Sequence, residues 1–96
     1  MYIAVRRYED VKNKHELSRH FRESFLPLIS AIPGFRGYYL VSATGGTVLT
    51  VSIFDHEAGA EESTKTAREW IQKNPNVLPA PVQVVAGEVV GHQHPK

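Results

Sequence analysis

The stretch from Ile32 to Phe54 constrains the fold of this 96-residue chain more than any other. It opens with Ile32-Pro33-Gly34-Phe35, in which the glycine can adopt the left-handed conformation that ends a helix and the proline cannot extend one. Two runs rich in β-branched and aromatic residues follow, at 35–42 and 47–54, separated by four residues with the composition of a hairpin turn. The stretch therefore predicts the end of a helix followed by a β-hairpin.

Neither strand of this hairpin has a consistently polar face. In the second strand, the side chains alternate between two largely apolar sets, which are Leu49, Val51 and Ile53 on one face and Val48, Thr50, Ser52 and Phe54 on the other. An antiparallel sheet with one face in water would instead alternate apolar and polar residues. We therefore expect both faces of the sheet to be covered, and a second copy of so short a chain is the natural cover for one of them.

Composition excludes several classes of protein. The charges nearly cancel, with 11 basic and 10 acidic residues, and they form no basic stripe that would bind a nucleic acid. Without cysteine, the chain has no disulfide, no thiolate nucleophile and no cysteine-bound zinc. It begins with no signal-peptide pattern and has no apolar run of about 18 residues, so we expect a cytoplasmic protein without membrane contact.

Capping and periodicity predict a first helix after a short strand at about 2–8. Asn13 and Glu16 have the spacing of a capping box, and apolar residues recur from there to Ile32 at steps of three and four. Pro27 lies inside this pattern and should kink or split the helix, because proline has no backbone N–H to donate.

A second helix at about 56–73 and a final strand at about 82–90 complete the pattern. Asp55 is a good N-cap for that helix, and small residues along one side let it lie close to a sheet, with Trp70 as its one large anchor. The order β-α-β-β-α-β predicts a ferredoxin-like α+β fold, in which an antiparallel four-stranded sheet carries two helices on one face. The domain should cover 1–91, followed by a polar tail at 92–96.

With these motifs placed, the chain resembles the antibiotic-biosynthesis-monooxygenase-like group of the dimeric α+β barrel superfamily. The resemblance covers about 1–90 and lies in three segments, which are Leu26-Pro27-Leu28-Ile29 with the following 32–39, Val51-Ser52-Ile53-Phe54-Asp55, and Trp70. It implies a homodimer in which two sheets pack face to face, and a cavity in each subunit between the sheet and the helices. Members of this group oxidise aromatic quinols without metal or flavin, or bind and degrade heme, or have no known activity.

The residues of this chain argue against a cofactor. Heme-degrading members use an Asn on the first strand, a Trp on the second helix and a His shortly beyond it. Trp70 matches, but Arg6 and Arg7 stand where the Asn is needed, and 71–81 contains no histidine. The quinol-oxidising members have an Asn four residues ahead of the Trp, and this chain has Thr66 there. We expect neither a cofactor nor a bound metal.

Phe21, Phe25 and Trp70 are expected to line the cavity that the resemblance implies. Trp70 has a second interpretation, because a large aromatic residue on the buried side of a helix is explained by packing alone. Both interpretations stay open at this stage.

The polar candidates for the site are Arg36, Tyr38, Tyr39 and His20. The two tyrosines are consecutive and must point to opposite faces of the sheet, so one should reach the cavity and the other the dimer interface. Strict alternation would place Phe35 on the face of Tyr39, and Arg36 on the face of Tyr38. Arg36 could hold an anion or simply lie exposed at the end of the strand, and His20 could reach the rim of the cavity.

Two functions remain open. The first is a cofactor-independent monooxygenase acting on a small aromatic hydrophobic substrate, which needs a dry pocket and orientation more than acid–base machinery. The alternative is a noncatalytic homodimer that binds a small hydrophobic ligand. A Tyr that converges in the cavity with an Arg or His would favour the enzyme, whereas a wholly apolar cavity would favour the binding module.

Overall fold

A computed structural model describes residues 1–95, and Lys96, the last residue of the predicted tail, lies outside the described residues. The elements are β1 (Tyr2–Tyr8), α1 (Lys14–His20), a π-helical turn (Phe21–Phe25), α2 (Leu26–Ser30), β2 (Phe35–Ser42), β3 (Val48–Phe54), α3 (Glu57–Lys73) and β4 (Gln83–Glu88). The strands form one antiparallel sheet in the order β2-β3-β1-β4. The predicted ferredoxin-like α+β fold is confirmed.

The first helical segment begins and bends where the sequence predicts. The side chain of Asn13 accepts a hydrogen bond from the backbone N–H of Glu16 at 3.0 Å, which caps α1. Ahead of Pro27, the backbone N–H of Leu26 donates to the carbonyl of Phe21, five residues back, as in a π-helix. The proline lacks a donor and its ring crowds the preceding turn, so one wider turn accommodates it without ending the helix.

A β-bulge at the start of β2 corrects the predicted faces of that strand. The register with β3 shifts between Phe35 and Gly37, which leaves Arg36 as the extra residue. Phe35 therefore lies on the same face as Tyr38, not on that of Tyr39, and its ring packs on Phe54 with the centroids 5.9 Å apart. Strict alternation fails here because the extra residue moves the side chain before it to the other face of the sheet.

Asp55 does not cap α3, contrary to the prediction. Its carboxylate accepts from Arg36 at 2.9 Å, and His56 is the N-cap residue, without a side-chain hydrogen bond to the helix. Asp55 also donates its backbone N–H to the carbonyl of Gly34 at 2.8 Å. Gly34 has the left-handed φ expected of a residue that ends a helix, +83°, but α2 already ends at Ser30, so the glycine serves the turn that leads into β2.

A glycine lets α3 approach the sheet closely. A Cβ on Gly59 would lie 2.7 Å from the ring of Phe54, so no other residue fits at this point. The buried side of the helix continues with small residues, which are Ala60, Ser63 and Ala67, before Trp70. The close approach of α3 to the sheet sets the positions of the functional side chains described below.

Candidate functional site

Four aromatic residues fill the space between the first helical segment, β2 and the end of α3. This aromatic cluster consists of Phe21, Phe25, Tyr38 and Trp70, with centroid distances of 4.8 Å between the two phenylalanines and 5.2 Å and 5.3 Å from them to the tryptophan. The indole Nε1 of Trp70 donates to the hydroxyl of Ser24 at 3.0 Å. Phe21, Phe25 and Trp70 thus come together, but their rings pack on one another, and a role in lining a cavity stays a prediction.

The structure separates the four polar candidates. Tyr38 faces the helices within the aromatic cluster, and burial raises the pKa of its hydroxyl above the ordinary value. Tyr39 lies on the opposite face of the sheet, where 61% of it is exposed. Arg36 is held in its ion pair with Asp55. His20 lies beside Glu16, with Nε2 and Oε1 3.2 Å apart, in a surface groove that it shares with Asn13 and the loop after α3.

A buried arginine is the most unusual residue of the molecule. Arg6 is in the middle of β1 and only 1% exposed. Its Nη1 donates to the hydroxyl of Ser52 on β3 at 3.3 Å. Its Nη2 donates to two hydroxyls of α3, those of Ser63 at 3.0 Å and Thr64 at 2.8 Å. Three hydroxyls from two elements therefore fix the guanidinium between the sheet and the helix.

The charge of Arg6 has no counter-charge within residues 1–95. The side chain forms no salt bridge there, and its Nε is buried without a hydrogen-bond partner. A guanidinium has five N–H donors, and three are used here, so the Nε–H and one Nη1–H remain. Burial lowers the pKa of Arg6, yet an arginine stays protonated in proteins. The result is a fixed buried cation with unused donors.

The small residues of α3 leave a cavity beside this cation. The arginine cavity has a volume of about 190 Å³ and lies between α3, β1, β4 and the segment ahead of β4. It is lined by Arg6, Tyr8, Thr64, Ala67, Arg68, Ile71, Gln72, Ala80, Pro81 and Val84. The walls are mostly apolar, and the lining includes no acidic residue and no histidine.

Tyr8 is the second polar group from β1 in the cavity. It lies two residues from Arg6 and therefore on the same face of the strand. Burial raises the pKa of its hydroxyl, and the positive charge of Arg6 offsets part of that rise. At neutral pH Tyr8 is therefore a protonated hydroxyl that can donate a hydrogen bond.

Sequence reasoning missed both Arg6 and Tyr8 as site residues. A signal was present, because Ala4, Arg6 and Tyr8 share one face of β1, and the apolar Ala4 marks that face as buried. An arginine on the buried face of a strand is a signal of function, because arginine is almost never fully buried unless it is paired.

The sequence matches no protein-family model and no curated protein. Solved structures do resemble it. A monooxygenase of Streptomyces coelicolor from the gene ActVA-Orf6, crystallised with nanaomycin D, has a TM-score of 0.70 at 21% identity, over 99% of this chain and 92% of that one. A protein of unknown function from Nitrosomonas europaea also has a TM-score of 0.70 at 21% identity, over 99% and 94%.

A candidate antibiotic biosynthesis monooxygenase from Chloroflexus aurantiacus has a TM-score of 0.67 at 13% identity, over 97% of this chain and 96% of that one. This chain has the fold of the antibiotic-biosynthesis-monooxygenase proteins. At these identities the likeness shows the fold and leaves the reaction to be argued from the site. Among residues 1–95, no group of three His, Asp or Glu side chains is placed to hold a metal, and no helix is long and apolar enough to cross a membrane.

Proposed function

We propose that the protein is a cofactor-independent monooxygenase that oxidises a small phenolic substrate bound in the arginine cavity. The observation that carries the proposal is the convergence of Arg6 and Tyr8 in a mostly apolar cavity between the sheet and α3. Convergence of an arginine and a tyrosine is the feature expected of an enzyme rather than of an apolar binding module. The shared fold with the Streptomyces monooxygenase supports the same reaction class.

The reaction needs a substrate that becomes an electron-rich anion. A phenol that loses its proton can reduce dioxygen directly, and a buried cation next to the phenolic oxygen stabilises the anion. One oxygen atom replaces a ring hydrogen and becomes a quinone carbonyl. The other leaves as water, together with that hydrogen and the hydroxyl proton. The substrate supplies all four electrons that reduce dioxygen, so no further reductant is consumed.

The remaining residues of the cavity would orient the substrate and exclude water. Ala67, Ile71 and Val84 offer apolar contacts to an aromatic ring, and the Tyr8 hydroxyl offers one hydrogen bond. The apolar lining of the cavity strengthens the attraction between the phenolate and Arg6, because the effective dielectric constant there is lower than in water. The protein thus contributes electrostatic stabilisation and orientation.

We expect this enzyme to be a homodimer formed through the face of the sheet opposite the helices. Large apolar side chains are exposed on that face, with Tyr39 61%, Val41 40% and Val85 55% exposed. A stable dimer should bury well over about 1,200 Å² in total. Sedimentation at micromolar concentration tests this, and a stable monomer would contradict it.

The alternative of a noncatalytic binding module is favoured by one observation. The arginine cavity has no carboxylate or imidazole among its lining residues, so the protein offers no conventional base for the substrate proton. In the enzyme, the proton must instead pass to solvent at the mouth of the cavity, driven by the field of Arg6. A module that only binds a phenol needs no such transfer.

Oxygen consumption separates the two functions. We would measure it with 1-naphthol and 1,5-dihydroxynaphthalene, and identify the product with ¹⁸O-labelled dioxygen, which should place one labelled atom in the quinone. Arg6→Met should lower the rate by about 10²–10³-fold, the usual cost of losing a group that stabilises a developing anion. Arg7→Met is the matched control, since Arg7 is the next residue of β1, exposed and paired with Glu9 at 3.1 Å. Binding of the naphthols without oxygen uptake would establish the binding module instead.

A further inference from the structure

The arginine cavity contains a second cation. Arg68 lines it from α3, and with Arg6 it gives the lining two positive charges and no negative one. Arg68 is exposed, whereas Arg6 is buried, so the two arginines mark the outer and inner parts of the same cavity. A ligand with one anionic oxygen would neutralise only one of them.

Arg68 has no acidic neighbour along its own helix. The residues three and four positions away, which share its side of α3, are Thr64, Lys65, Ile71 and Gln72. Within residues 1–95 it takes part in no salt bridge, whereas Arg7, Arg19 and Arg36 each contact a carboxylate. Glu62 and Glu69 lie instead on the side of α3 that forms a groove with Trp70.

The hydrogen bonds of Arg6 determine which anion each arginine can hold. A carboxylate binds an arginine best through two parallel N–H donors, and on either edge of the guanidinium one of the two comes from Nη2. Both Nη2 donors of Arg6 are already used, by Ser63 and Thr64. Because Nε is sealed from solvent, Arg6 can offer only the remaining Nη1–H to a single oxygen, such as a phenolate, and has no free pair for a carboxylate.

The spacing along α3 fits a ligand with two anionic groups. Arg68 lies one turn beyond Thr64, the residue that holds Arg6, and four residues of α-helix rise by about 6 Å. We propose that the ligand is a hydroxyaryl carboxylic acid, whose phenolic oxygen lies at Arg6 and whose carboxylate is bound by Arg68. This inference rests on the proposed function for the location of the phenolic end, and it assigns Arg68 to substrate selection rather than to the oxidation.

A comparison of matched ligands tests the assignment. Affinities of 1-naphthol and 5-hydroxy-1-naphthoic acid would be measured by titration calorimetry under anaerobic conditions, so that no turnover intervenes. The wild type should bind the acid about three- to fivefold more tightly, as expected for an exposed charge pair of good geometry. Arg68→Gln should bring the two affinities within about twofold, and Arg68→Lys should restore part of the difference.

Lys65→Gln is the control, because it removes a positive charge from the exposed side of α3 without touching the cavity. It should keep the full preference for the acid. Equal loss of preference in Lys65→Gln and Arg68→Gln would overturn the proposal, since the effect would then be one of net charge. A preference that depends on Arg6 but not on Arg68 would also overturn it, by placing the carboxylate at the inner arginine.

The outcome is independent of catalysis. If the acid is preferred through Arg68 but no oxygen is consumed, the inference about the ligand holds and the oxidation fails. If naphthols are oxidised but the acid has no advantage, the oxidation holds and the inference fails.

Discussion

Two sides of α3 solve the problem of packing a helix on a sheet in opposite ways. On the side that faces the first helical segment, Trp70 joins three other aromatic rings, and the space is filled. On the side that faces β4, Ser63 and Thr64 hold a buried guanidinium, and a cavity lined by Ala67 and Ile71 remains beside it. The aromatic side gains free energy from apolar burial and needs nothing else. The arginine side isolates a charge from water, which costs free energy that a bound anion can offset.

This difference separates the part of the molecule that stabilises the fold from the part that we expect to bind a ligand. A sequence that needed only a stable fold would place an apolar residue at position 6, where the neighbouring Ala4 and Tyr8 are buried. Retaining an uncompensated cation there instead is a cost to stability that suggests a binding role.

Trp70→Ala should lower the free energy of unfolding by about 3–5 kcal/mol, because it empties the centre of the aromatic cluster. Denaturant titration would measure the loss. Leu28→Ala is the control, because Leu28 on α2 is 50% exposed and its truncation should cost much less. Trp70→Phe should stay folded and retain naphthol binding, and a folded Trp70→Phe variant that no longer binds would show that the two sides of α3 are not independent.

Arg6→Met should separate stability from binding. We expect naphthol affinity at alkaline pH, where the ligand is a phenolate, to fall by more than about tenfold, since a hydrogen bond to a charged group is lost. The free energy of unfolding should stay the same or rise by up to about 2 kcal/mol, because an apolar side chain of similar length replaces a desolvated charge. Strong destabilisation would show that Arg6 stabilises the fold as Trp70 does, and the two residues would then not differ in role.

Alkaline pH should destabilise the protein through Tyr8 and Tyr38. Burial raises the pKa of both hydroxyls, so the unfolded chain loses these protons first, above about pH 10. The stability they contribute is complete below that pH and is lost as the pH rises, by up to about 1.4 kcal/mol per pH unit for each tyrosine. Tyr38→Phe should reduce the slope more than Tyr8→Phe, because the Arg6 charge directly opposes the rise at Tyr8. Denaturation curves between pH 9 and 11 would measure both slopes, and equal slopes in all three proteins would exclude this cause.

The smallest effect should come from Arg36→Gln. Its ion pair with Asp55 is exposed, and such pairs contribute about 0.2–1 kcal/mol. Stability should fall by no more than this, and the affinity for naphthols should not change, because Arg36 lies outside the arginine cavity. A loss of naphthol binding in this variant would show that Arg36 belongs to the site after all.

The sequence predicted the elements because each depends on neighbouring residues. The cap at Asn13 and the apolar periodicity of the strands are local signals, and the structure confirms them. The bulge at Arg36 was not predicted, although Gly37 beside it was a signal, because a glycine inside a strand often marks a bulge. The bulge turns Phe35 toward Phe54, a contact between two strands that the local sequence does not show.

The site could not be predicted because its parts are distant in sequence. Arg6 is fixed by hydroxyls that lie 46, 57 and 58 residues away, and none of Ser52, Ser63 and Thr64 is distinctive by itself. The candidates taken from the sequence were polar residues near the hairpin and the first helix. The cavity lies instead on the side of the sheet that β4 completes, where only the folded chain brings β1 and α3 together.

The π-helical turn at Phe21–Phe25 has a consequence for aligning this chain with other proteins. A π turn holds one residue more than an α-turn, so it shifts the helix before it by about 100° relative to the helix after it. In a relative with an uninterrupted helix, the residue equivalent to Leu17 would be displaced by one position in the sequence. An alignment needs a one-residue gap here, and without it every comparison of buried positions on one side of the turn would pair a core residue with a surface residue.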